Sequence, residues 1–128
     1  MSILSFIAGL LFALVLGHFV VGWFIDWVRT KSGVPTKREG AGVPNEIVGL
    51  FERIFAFAVA FANVEGAYAL LIAWMAAKLA LNWERRPYNG ADVKEERLVR
   101  VYGISALMAG TLSLSLGVIG GIIARCGF

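Results

Sequence analysis

The chain has 128 residues, 59% of them hydrophobic, with a mean hydropathy of +0.74 and a formal net charge of +3 at pH 7. Soluble domains are about 45–50% apolar, so this composition argues against a soluble domain and predicts one membrane domain over residues 1–128. The single cysteine, Cys126, excludes an internal disulfide. Most Lys and Arg residues lie in two short loops, which the positive-inside rule explains, so nucleic acid is not an expected partner.

The first apolar segment is predicted to be a retained transmembrane helix over about residues 3–27. No Lys or Arg precedes it, and its length exceeds the apolar core of a signal peptide, which is about 7–15 residues. Small residues recur at every fourth position, which predicts close packing against another helix. These residues are Ser5, Gly9, Ala13 and Gly17.

Two further helices are predicted over residues 45–62 and 66–83, after a polar loop that ends near residue 44. Glu46 at the start of the second helix suits the positive end of the helix dipole. The turn at residues 63–66 is so short that these two helices are expected to be antiparallel neighbours.

The fourth helix is predicted to begin at about residue 92 and to cross the membrane over residues 101–124. At about 1.5 Å per residue it is longer than the hydrocarbon core of about 30 Å, so its first turns are expected in the cytoplasm. The crossing segment has no charge, and its small residues predict faces that meet other helices closely. These residues are Gly103, Ala106, Gly110, Ser113, Gly117, Gly120 and Gly121.

The predicted fold is therefore all-α, a polytopic integral membrane four-helix bundle with short loops. With four spans, the basic loops at residues 28–44 and 84–100 lie on one side, and the positive-inside rule assigns that side to the cytoplasm. Both termini are then expected outside the cell. The expected location is a bacterial inner membrane.

Polar and charged residues within the spans are the main functional lead. Each of the four helices contributes such a residue at similar depth, namely His18, Glu52, Arg53, Lys78 and Ser105. An isolated charge in a membrane costs about 2.5–3.5 kcal/mol, so we expect Glu52 to pair with Lys78. Arg53 lies about 100° further round its helix. That face is rich in Phe and Ile, so we expect the arginine side chain to snorkel to the cytoplasmic headgroups.

Recognised catalytic motifs are absent from the sequence, and no catalytic residue, metal site or cofactor is predicted. The lone His18 has no nearby residue of a metal-ligating type, so it is expected to donate a hydrogen bond across a helix interface. Four arginines of the second basic loop are candidates for binding lipid headgroups, which makes membrane lipid an expected partner. They are Arg85, Arg86, Arg97 and Arg100.

Three short motifs occur in order: GLFER at 49–53, AAK at 76–78 and GTLSLS at 110–115. Together they resemble a group of small uncharacterised bacterial multi-pass membrane proteins, which carry Gly-x-x-Glu-Arg, Ala-Ala-Lys and Gly-Thr-Leu-x-Ser. The resemblance implies that Glu52, Arg53 and Lys78 belong to one unit. It implies no activity.

Three classes of function stay open. The favoured one is a structural or assembly component of the membrane, forming a homo-oligomer, with a buried Glu52–Lys78 pair. A small channel or ion-coupled transporter could use Glu52, Lys78 and His18 as a gate or proton relay. A membrane enzyme acting on a lipid-like substrate could bind anionic headgroups with the basic loops.

Overall fold

The computed structural model of the chain describes residues 2–35, 45–84 and 93–127. These residues form helices and turns, with no strand among them. The helices are α1 (Ile3–Lys31), α2 (Asn45–Ala62), α3 (Tyr68–Glu84) and α4 (Val93–Cys126). The predicted all-α class and the four helices are confirmed.

The predicted helix bounds are close to those observed, with two differences. The helix α1 continues past residue 27 to Lys31, where Arg29 and Lys31 suit the negative end of the helix dipole. The helix α3 begins at Tyr68 rather than residue 66, because residues 65–67 form a turn in which Gly66 has φ +79°. A positive φ of this size is accessible to glycine at little cost.

A π-helical turn interrupts α1 at Phe12–Leu16, between the α-helical segments Ile3–Leu11 and Gly17–Lys31. The Gly17 N–H donates to the carbonyl of Phe12, five residues earlier. The sequence analysis did not predict this turn. Such insertions are rare and occur often at functional sites.

The helix α4 is central, and it contacts each of the other three helices. It runs antiparallel to α1, since Gly120 contacts Gly9 while Ser105 contacts Arg29 near the other end. It runs parallel to α2, since Gly110 contacts Glu52 while Gly121, further along α4, contacts Phe57, further along α2. The buried apolar clusters all include α4 residues, namely Leu114, Ala124 or the pair Ala109 and Leu116.

Close helix approach explains the glycines of α4. A Cβ added to Gly117 would lie 2.6 Å from the carbonyl oxygen of Arg53, and one on Gly121 would lie 2.6 Å from that of Phe57. A Cβ on Gly120 would lie 2.6 Å from the carbonyl oxygen of Gly9. The predicted small-residue packing is thus present on two sides of α4. Gly103 and Ala106 are half-buried nearer the start of the helix.

The helix α3 is the most peripheral. Leu71 is its buried apolar residue among the side chains described, and it packs with Ala56, Val59 and Leu114. Five alanines of α3 are exposed. They are Ala69, Ala73, Ala76, Ala77 and Ala80. The helix is antiparallel to α2, as predicted, because Trp74 and Lys78 both reach back to Glu52.

Two helices, α1 and the Glu96–Cys126 part of α4, are long and apolar enough to cross a membrane. The apolar part of α3, Tyr68–Ala80, is shorter. Large apolar side chains point away from the protein on several helices, including Leu4, Phe19 and Ile72, which are 74%, 68% and 73% exposed.

Candidate functional site

The predicted pair of Glu52 and Lys78 is present at the interface of α2 and α3. The Lys78 Nζ lies 2.6 Å from Glu52 Oε1, and Trp74 Nε1 donates to the same oxygen at 3.0 Å. Glu52 is 2% exposed and the Lys78 side chain 16% exposed. A buried carboxylate is therefore neutralised by one cation and held by a second donor one turn away on the same helix.

The ion pair also touches α4, because the ammonium group lies against Gly110. A Cβ added at Gly110 would lie 2.5 Å from the Lys78 Nζ and 3.4 Å from Glu52 Oε1. With a larger residue at this position the lysine ammonium would have to shift. The pair therefore joins three helices.

Arg53 does not reach the headgroups, and that prediction is wrong. Its side chain lies inside the bundle, 2% exposed, between α1 and α4. The Nη1 donates to Ser113 Oγ at 3.3 Å, and the Ser113 hydroxyl donates in turn to the Gly49 carbonyl at 3.0 Å. The α1 helix covers this side chain, and Gly17 makes room for it.

Ser105 and His18 are not brought together with the ion pair. Ser105 Oγ accepts from Arg29 Nε at 3.1 Å and donates to the Tyr102 carbonyl. His18 is exposed on α1, and its ring lies edge-on to that of Phe19, 5.5 Å between centroids. The expected single polar layer is therefore not formed, and His18 lies on the exposed side of α1 rather than at the helix interface that was predicted for it.

Arg29 is a buried residue that the sequence analysis missed. It is 3% exposed, and its guanidinium carbon lies 4.7 Å from the centroid of the Tyr102 ring, within the range of a cation–π interaction. The residue was assigned to a basic loop. Continuing the helical periodicity of α1 through Thr30 would have placed Arg29 on the same face as Val21, which is buried.

The candidate headgroup arginines have different fates. Arg97 Nη2 donates to the Ser32 carbonyl at 2.9 Å, which joins the start of α4 to the end of α1. Arg100 is exposed. Arg85 and Arg86 lie outside the described residues. Nearby, Tyr102 donates its hydroxyl to the Pro35 carbonyl at 2.6 Å.

Within the described residues, no three His, Cys, Asp or Glu side chains are grouped where they could hold a metal ion. The polar interior can nevertheless fix helix register and hold charge. We call Glu52, Arg53 and Lys78 the α2 charge cluster, because Glu52 pairs with Lys78 and precedes Arg53 in α2, whereas the buried Arg29 lies against Tyr102 and Ser105 of α4. Comparisons of the chain with protein-family models, curated proteins and solved structures give no match.

Proposed function

We propose that this chain is a four-span integral membrane protein with a structural or assembly role, in which the Glu52–Lys78 pair fixes the register of α2, α3 and α4. The observation that carries the proposal is the buried contact of 2.6 Å between these two side chains. In this contact the Lys78 ammonium neutralises the Glu52 carboxylate inside the protein. The pair also lies against Gly110 of α4, so it links three helices, as expected of a contact that fixes helix register.

The exposure of apolar side chains supports membrane insertion. In the most apolar part of α1 only 22% of the residues are buried within the protein, and in that of α4 39%. The core helix of a soluble protein would be mostly buried. Apolar side chains that remain exposed after folding are unfavourable in water but favourable in hydrocarbon, so these helices fit a membrane environment.

The charge distribution supports the proposed orientation. Arg29 and Lys31 at the end of α1 and Arg97 and Arg100 near the start of α4 lie at the same end of the bundle. At the opposite end, Arg125 donates to the Ala60 carbonyl at 3.2 Å. We place the first end in the cytoplasm, both termini outside, and the protein in a bacterial inner membrane.

The proposal includes a homo-oligomer, but three glycines of α4 are not available for contacts between its subunits. Gly117, Gly120 and Gly121 are buried against α1 and α2 of the same chain. Self-association must therefore use outer surfaces. Cross-linking of the protein in its native membrane tests this, and a monomer under all cross-linking conditions would remove the oligomer from the proposal.

Cysteine labelling tests the orientation, because the native Cys126 is exposed near the end of α4. An impermeant maleimide added to intact cells should label Cys126. A second variant, Thr30→Cys in a Cys126→Ser background, should react only after the cells are permeabilised. The reverse pattern would contradict the orientation, and purified protein that stays dissolved without detergent would contradict membrane insertion.

The transport alternative has its own test. Vesicles containing the wild-type protein should show no ion flux above empty vesicles. Flux that is present in the wild type and lost in Glu52→Gln, with both proteins equally incorporated, would replace the structural role by a channel or transporter. For the enzyme alternative, binding of anionic lipid that is lost in Arg97→Gln would be the corresponding result.

A further inference from the structure

The guanidinium of Arg53 is incompletely satisfied inside the bundle. Its Nη1 donates to a serine hydroxyl, but its Nε has no hydrogen-bond partner among the described residues. The whole residue is 2% exposed. A buried donor without an acceptor costs about 1–3 kcal/mol, and more when the group is charged, and a bound ion or water is one explanation for such a group in a folded protein.

The charge balance of the α2 charge cluster points in the same direction. It contains two cations, Arg53 and Lys78, and one carboxylate, Glu52, so among the described residues one positive charge of the cluster is left uncompensated. Glu52 interacts electrostatically with Arg53, the next residue in the chain, but its Oε1 is bonded to Lys78 and Trp74. A buried net charge is unfavourable until an opposite charge joins it.

Two glycines, Gly17 and Gly49, let the arginine side chain lie close to the helix backbone. A Cβ on Gly17 would lie 2.6 Å from the Arg53 Cδ and 3.2 Å from its Nε, and one on Gly49 would lie 3.3 Å from Nη1. Gly17 directly follows the π-helical turn of α1. The guanidinium thus lies in a slot whose walls on two helices are glycines.

We infer that Arg53 is the centre of an anion-binding site between α1, α2 and α4, and that its occupant is a small monovalent inorganic anion of the halide class. The anion accepts a hydrogen bond from the free Nε–H and brings the net charge of the α2 charge cluster to zero. It is small because the arginine is enclosed by three helices, and monovalent because one charge is uncompensated. The inference goes beyond the structural role and does not rest on membrane insertion.

Chloride binding by the purified full-length protein tests the site. At constant ionic strength, replacing gluconate by chloride should raise the thermal unfolding midpoint, since a ligand that binds only the folded state stabilises it by mass action. Equilibrium dialysis with radioactive chloride should reach saturation at one ion per chain. Equal midpoints in the two salts together with no saturable binding would overturn the inference.

Two matched substitutions locate the ion. Arg53→Lys keeps the charge but removes the Nε–H, and we expect chloride affinity to fall about tenfold, the factor for one hydrogen bond to a charged group. Arg29→Lys makes the same change at the other buried arginine and should leave the affinity unchanged. Equal affinities in the two variants would place the anion elsewhere and overturn the assignment. If Arg53→Lys does not fold, Gly17→Ala replaces it, since its added Cβ would lie 3.2 Å from the Arg53 Nε and should also weaken binding.

Discussion

Glu52 and Arg53 are adjacent on α2 and equally buried, yet the structure treats their charges differently. Glu52 faces α3, where Lys78 neutralises it. Arg53 points away from α3, between α1 and α4, and its hydrogen-bond partner is the neutral hydroxyl of Ser113 on α4. A buried charged side chain therefore does not always have a partner of opposite charge within hydrogen-bond distance. The two sides of one helix differ in how their charge is compensated, and they should respond differently to substitution.

The largest effect is expected on the Glu52 side. Glu52→Gln leaves the Lys78 ammonium buried without a counter-charge, which should cost about 3–5 kcal/mol of the free energy of unfolding. The double variant Glu52→Gln with Lys78→Met removes both charges and should recover most of that loss. Reversible unfolding in mixed micelles, followed by circular dichroism, measures the cycle. A double variant as unstable as Glu52→Gln would show that the pair is not the source of the effect.

The hydrogen bond on the Arg53 side should have the next largest effect. Ser113→Ala removes the acceptor of a buried cation, and the expected loss is about 1.5–3 kcal/mol. Trp74→Phe is the matched change on the other side of α2, where Glu52 keeps Lys78 as its partner, so its loss should be smaller. Unfolding of the two variants in the same micelles gives the comparison. A larger loss for Trp74→Phe would reverse the proposed difference.

Filling the glycine wall of the Arg53 slot should be somewhat less costly. The Cβ in Gly17→Ala would meet the Arg53 Cδ, so the arginine must shift, at about 1–3 kcal/mol. Gly22→Ala is the control in the same helix, because nothing lies within 4 Å of its added Cβ. Its stability should be unchanged or higher, since alanine is the better helix former. Thermal midpoints that fall equally in both variants would contradict a close contact at Gly17.

The smallest effect is expected at His18. Its side chain is exposed and contacts Phe19, so His18→Gln should leave the unfolding midpoint and the oligomeric state unchanged. A flux assay on the same variant addresses the proton-relay alternative at that position. A destabilised His18→Gln protein would indicate that His18 makes a contact to a second copy or to a part of the chain outside the described residues.

Much of the architecture follows from local sequence. The four helices were predicted from apolar segments, the antiparallel hairpin of α2 and α3 from the short turn, and the pairing of Glu52 with Lys78 from the cost of an isolated charge in a membrane. These features involve residues close in sequence, or helices joined by so few residues that one arrangement is possible. The glycines of α4 were predicted to lie at helix contacts for the same kind of reason, since small residues allow close approach.

The sequence by itself determined which residues share a helix face, because the period of 3.6 residues fixes their angular positions. Only the tertiary structure decided which helix covers each face. Arg53 is buried because α1 packs over it with Gly17, and Ser105 binds Arg29 because α1 continues beyond its apolar segment. The π-helical turn of α1 is likewise a feature that the sequence analysis did not predict and that only the tertiary structure showed. Contacts between helices distant in sequence depend on packing of the whole bundle, and no single segment encodes them.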